Sequence, residues 1–160
     1  MTALSVLGIA VAKGRAGYVY LSNGDLRDWQ VSLKAVSSGT EMAGWVQERI
    51  SDLKPDVVVT EVLTKSSRKG DKTQRLIAVA ADTASHNSVL DVSVARAQNF
   101  SCKYEEAAAL AELYPELHGW VPRKRRLWDS EPRNTILFEA LALACAVIDG
   151  PPENLAAAMG

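Results

Sequence analysis

Apolar positions along this chain follow two different periods. Residues 3–11 form an almost continuous apolar run rich in branched side chains, the pattern of a buried strand. Residues 18–21 read as a second strand, and Asn23-Gly24 follows at once. Both of those residues tolerate positive φ, so the pair predicts a tight hairpin. Residues 26–33 continue as a third strand with partial alternation, Trp29, Val31 and Leu33 pointing one way. The first third of the chain therefore predicts a three-stranded antiparallel meander.

Beyond residue 38 the period lengthens to that of a helix. Ser38 stands three residues before Glu41, a capping-box pattern, and Met42, Trp45, Val46, Ile50 and Leu53 recur on one helical face. Lys54-Pro55-Asp56 ends that helix. Residues 57–62 form a short apolar run suited to a central parallel strand covered on both sides. After a polar, basic loop at 65–70, Asp71 with Gln74 resembles a second capping box and residues 73–83 read as a helix. A fifth strand is expected at 89–94 and a helix at 103–113 with Ser101 as its cap. A last helix spans about 132–148, with Pro132 at its start, where a missing amide hydrogen costs nothing. The predicted order is β-β-β-α-β-α-β-α-α, an α/β domain over residues 1–150 followed by a tail at 151–160.

Composition narrows the functional classes. The 160 residues suit one domain with a real core, and 48% apolar residues are ordinary for a globular chain. The net charge of −1 supplies no global basic field, so nucleic-acid contact has to come from local patches. Cys102 and Cys145 lack metal-ligand spacing and read as reduced thiols. No leader-like segment and no unbroken apolar stretch of about 18 residues stands out, so the cytoplasm is the expected location, with no membrane partner.

Two short motifs carry a family resemblance. Val6-Leu7-Gly8-Ile9-Ala10-Val11-Ala12-Lys13-Gly14-Arg15-Ala16-Gly17-Tyr18 resembles the first hairpin of the RuvC-like branch of RNase H-like nucleases. Pro55-Asp56-Val57-Val58-Val59-Thr60-Glu61 resembles that branch's fourth strand, which ends on a metal-binding glutamate. The resemblance implies an RNase H-like sheet of five mixed strands flanked by helices, with the first strand central beside the fourth. It implies an endonuclease that cuts DNA, branched DNA such as Holliday junctions in particular, as a homodimer using two Mg²⁺ or Mn²⁺ ions. The helix at 40–53 or the one at 71–85 is the expected dimer face.

Candidate chemistry follows from these motifs. Two-metal hydrolysis needs clustered oxygens that hold ions about 3.5–4 Å apart. Glu61 sits at a strand end after branched residues, where a carboxylate is costly to bury without a cation. Glu139, within Leu137-Phe138-Glu139-Ala140-Leu141-Ala142, takes the place of the family's terminal-helix Asp, while Ile136 departs from the acid or histidine three residues earlier. A second register pairs Glu131 with Asn134 on one helical face, with simple N-capping as the competing role for Glu131. The position matching the family's first-strand Asp is Ala10. Two readings of it stay open: an inactivated form of a working nuclease, or a native residue of a non-catalytic nucleic-acid-binding or assembly module. Lys65, Arg68, Lys69, Lys72 and Arg75, together with Arg123, Lys124, Arg125 and Arg126, offer phosphate contacts. Trp120 or Trp128 offers a stacking face for an unpaired base.

Overall fold

The structure is a computed structural model that describes residues 4–62, 69–95, 103–122 and 134–148. Five strands form one sheet: β1 (Ser5–Ala12), β2 (Arg15–Ser22), β3 (Asp25–Ser32), β4 (Val57–Glu61) and β5 (Leu90–Val94). Their spatial order is β3-β2-β1-β4-β5. The first three pair antiparallel, whereas β4 runs parallel to β1 and to β5. The described residues also form four α-helices: α1 (Gly39–Leu53), α2 (Asp71–Ser85), α3 (Lys103–Leu113) and α4 (Thr135–Ile148). This is the expected RNase H-like arrangement, with β1 central beside β4. No described helix is long and apolar enough to cross a membrane.

Alternation along the strands builds two cores. Val6, Ala10, Val57, Val59 and Val92 face α3 and α4, while Leu7, Ile9, Val11 and Val58 face α1 and α2. The covered sheet explains why β1 and β4 read as unbroken apolar runs. The α4 helix is itself buried on almost every side, from Ile136 through Leu143 apart from the half-buried Ala142.

Local chemistry sets the element ends. The Asn23-Gly24 turn holds φ of 60° and 82°, the pair of positive values a type I′ two-residue hairpin demands, and in the Lys13-Gly14 turn Gly14 alone takes positive φ, 78°. Ser38 caps α1 by accepting from the Glu41 amide at 3.1 Å, as its sequence predicts. Lys54 ends that helix in the left-handed region, φ 50°.

Three local expectations need correction. Leu33 does not share the face of Trp29 and Val31. The chain leaves the sheet after Ser32, whose hydroxyl accepts from the Ala35 amide, and Leu33 is 44% exposed. Strand β2 begins at Arg15 rather than at Tyr18, because the Lys13-Gly14 turn is tight enough to pair Ala12 with Arg15. Asp71 does not cap α2; Gly70 holds the cap position, and the Gln74 side-chain amide instead donates to the Lys69 carbonyl at 2.6 Å. The Ser101 cap and residues 132–133 of the last helix lie outside the described residues.

Gly8 and Gly17 let α4 lie close on the sheet. A Cβ at Gly8 would stand 2.6 Å from the Ala140 carbonyl oxygen, and one at Gly17 would stand 2.9 Å from Ile136 Cγ2. Backbone cannot yield as a side-chain tip can. Gly8→Ala is therefore expected to lower stability in chemical denaturation by about 1–3 kcal/mol. Gly44→Ala in α1, where nothing stands within 4 Å, should stabilise by about 0.5–1 kcal/mol.

Tyr18 bridges β2 to α1 through a tilted contact with Trp45 and the Arg49 guanidinium over its ring. Burial first, and then its 2.7 Å hydrogen bond to Asp28, pushes its phenol up to about 12. The unfolded phenol titrates near 10. This stabilisation is thus complete below about pH 10 and is lost as pH rises toward 12. Absorbance at 295 nm should show one late-titrating tyrosine that reverts toward the ordinary value in Asp28→Asn.

Candidate functional site

Parallel pairing between β1 and β4 runs from Val6↔Val57 to Gly8↔Val59 and goes no further. Beyond that point the two strands part at their carboxyl ends, the place where open α/β sheets form crevices. Ala10, on β1, and Glu61, the last residue of β4, lie on the α4 side of the sheet by the alternation of their strands. Glu139 comes down from α4, buried at 8% exposure in an otherwise apolar stretch. The crevice thus gathers two of the sequence-predicted acids.

A lysine joins them. The Lys69 ammonium lies 3.0 Å from Glu61 Oε2 and 2.5 Å from Glu139 Oε1, and it donates to the Val11 carbonyl at 2.6 Å. The Glu139 contact is an aligned, short hydrogen bond, while the Glu61 contact is an ion pair without hydrogen-bond alignment. All three side chains are four-fifths buried or more. Arg15 enters from the start of β2, its guanidinium 3.4 Å from the Thr135 hydroxyl. Burial lowers its pKa from the usual arginine value and the nearby Glu139 carboxylate opposes that shift.

Lys69, expected on a DNA-facing loop, is therefore turned inward. Two buried carboxylates attract a cation more strongly than solvent holds it, and Gln74 fixes the lysine backbone at the head of α2. Lys72 and Arg75 follow on α2 and are exposed. Trp120 is 41% exposed at the end of a 3-10 turn, Pro115–Trp120. Asn134 stands just before α4, and its carbonyl accepts from the Leu137 amide. Lys65, Arg68, Arg123, Lys124, Arg125, Arg126, Trp128 and Glu131 lie outside the described residues.

Sequence reading passed over Arg15 and Asp91. Arg15 was visible only as part of a turn, since its approach to Glu139 depends on how α4 crosses the sheet. Asp91 is raised above the usual carboxylate range by burial, and its Oδ1 has no hydrogen-bond partner among the described residues. It pairs in register with Val58 and so belongs to the α1–α2 face, away from Glu61.

Solved structures share this arrangement over nearly the whole chain. Thermus thermophilus RuvC matches with a TM-score of 0.62 at 14% identity, over 92% of this chain and 97% of its own. RuvC of the same organism in complex with a Holliday junction substrate matches at 0.58 and 17% identity, over 98% and 96%. The Fowlpox virus resolvase, in complex with Holliday junction DNA, matches at 0.57 and 11%, over 91% and 99%. The chain has the RuvC-like resolvase fold. No family model matches it, and no curated protein is similar enough in sequence to match.

The residues present do not fit the pair of divalent ions that this fold implies. Mg²⁺ requires hard oxygen ligands in near-octahedral order. Position 10 offers a methyl group, and the oxygens of Glu61, Glu139 and Val11 already surround an ammonium. Among the described residues no three acidic, histidine or cysteine side chains cluster as metal ligands do.

The two acids do not share Lys69 equally. Glu139→Gln removes the aligned, charge-assisted bond and should cost about 1.5–3 kcal/mol in urea denaturation. Glu61→Gln should cost less, and the double variant more than the sum, because each acid partly compensates for loss of the other and removing both leaves the ammonium without a carboxylate. Strict additivity would mean that the two carboxylates do not share one cation.

Proposed function

We propose that this protein acts on branched DNA of the Holliday-junction type. With an acid at position 10 it would be a Mg²⁺- or Mn²⁺-dependent endonuclease of the resolvase kind. With Ala10 it engages the junction without cutting it. The observation that carries this reading is the convergence of Glu61 and Glu139 on one crevice beside position 10, within a resolvase fold. The RuvC and Fowlpox resolvase complexes with Holliday junctions support the choice of substrate.

Recognition falls to cations outside the crevice. Lys72 and Arg75 stand exposed on α2, directly after Lys69. With Lys65, Arg68 and the Arg123 to Arg126 run they supply phosphate contacts, and Trp120 or Trp128 supplies a stacking face. A four-way junction has two equivalent sides, so a homodimer meets it with matching surfaces, through α1 or α2.

The retained acids favour the nuclease origin over a purely structural module. Both Glu61 and Glu139 sit where the resemblance puts the family's fourth-strand and last-helix acids. The Ala10 chain should bind a four-way junction more tightly than duplex of equal length and leave it uncut with Mg²⁺ or Mn²⁺. Binding should weaken with salt, and Lys72→Ala or Arg75→Ala should reduce the log–log slope by about one each. A flat slope would remove the proposed phosphate surface. Ala10→Asp should gain Mg²⁺-dependent junction cutting that Glu61→Gln abolishes. If it cuts neither junctions, flaps, duplex nor RNA–DNA hybrids, the binding and assembly role stands alone.

A further inference from the structure

The crevice holds its own counter-charges. Glu61 and Glu139 bring two negative charges, and Lys69 and Arg15 bring two positive ones. An ammonium has three N–H groups. Among the described residues three oxygens lie within 3.0 Å of the Lys69 nitrogen: Glu61 Oε2, Glu139 Oε1 and the Val11 carbonyl. The lysine is placed there by its own backbone, since Gln74 binds its carbonyl at the first turn of α2.

We infer that Lys69 is the resident cation of this pocket, seconded by Arg15, and that the pair stands in place of divalent ions. The inference deepens the proposed non-cutting role and rests on its reading of this crevice. Its physical basis is charge and ligand count. Two divalent ions would add four positive charges to a site where, among the described residues, two carboxylates already face two cations. Entry of even one would require the ammonium to leave both acids and the Val11 carbonyl. The resulting cluster ties β1, β4, α4 and the head of α2 together with no metal needed for folding.

Mn²⁺ titration of the full chain without DNA, followed by electron paramagnetic resonance and by Tm, tests this. The unaltered protein should bind no Mn²⁺ and show the same Tm in Mn²⁺ and in EDTA. Stoichiometric binding abolished by Glu61→Gln would overturn the inference while leaving junction binding, measured separately in EDTA, as the test of the functional reading. Lys69→Met leaves two buried acids facing each other. Its Tm in EDTA should fall on the order of 10 °C and recover in part with Mn²⁺. Lys69→Arg should keep most of the stability. If Lys69→Met does not fold, the triple variant Lys69→Met, Glu61→Gln, Glu139→Gln, which leaves no charge uncompensated among those three, should fold. An unchanged Tm in Lys69→Met would overturn the inference. In the Ala10→Asp background, removing Lys69 should tighten Mn²⁺ binding by about tenfold or more, since the ion no longer competes with an ammonium. Equal affinity with and without Lys69 counts against it.

Discussion

The Lys69 ammonium sits where four stretches of chain meet. It touches the Val11 carbonyl of β1, the tip of β4 at Glu61, the underside of α4 at Glu139, and, through its own backbone, the start of α2. Charges in such a place are costly to desolvate, and their attraction repays the cost only when the remaining oxygens are also satisfied. Here a second N–H of the ammonium finds the main-chain carbonyl of Val11, beyond the point where β1 and β4 stop pairing. The opening of the sheet and the placement of the lysine are therefore one structural fact: the strands separate after Gly8↔Val59, and the gap is filled by a cation.

That geometry depends in turn on how deeply α4 lies on the sheet. Gly8 and Gly17 lack the Cβ atoms that would strike Ala140 and Ile136, so the helix rests almost against the strand backbone. Glu139 directly precedes Ala140, the residue whose carbonyl oxygen closes over Gly8. Raise the helix by the width of a methyl group and Glu139 moves away from Lys69. The glycines of the first hairpin thus act at a distance in sequence of more than 120 residues from the carboxylate they position. Packing sets the electrostatics, and the electrostatics holds the packing.

Much of this was legible in the chain. The order of elements followed from periodicity, because β1 and β4 are covered on both faces and α1 carries its apolar face and its Ser38 cap in plain pattern. Glu61 and Glu139 were conspicuous as acids set in apolar runs, and the resemblance carried by residues 6–18 and 55–61 put them near one another. Two things were not legible. Lys69 looked like one cation among several in a polar loop, and only its approach to the two acids distinguishes it from Lys72. Arg15 looked like turn punctuation, since nothing local shows that β2 begins beneath the start of α4. Local sequence reports the cost of burying a charge but not which distant partner offsets it.

Ala10 acquires its meaning from these partners. Its methyl group is 2% exposed and belongs to the same apolar cluster as Val6, Val59 and Ala140, so it extends the core to the floor of the crevice. A carboxylate there would be a third acid against two internal cations, leaving net negative charge in a place of low polarity and favouring an added cation. With alanine the described residues stand two acids against two cations. The absent acid and the inward lysine are consistent with each other whatever the history of position 10. One withholds a third carboxylate from the crevice, and the other already holds the two that are there. Outside the crevice, Lys72 and Arg75 keep their charges exposed on α2, next to the inward Lys69.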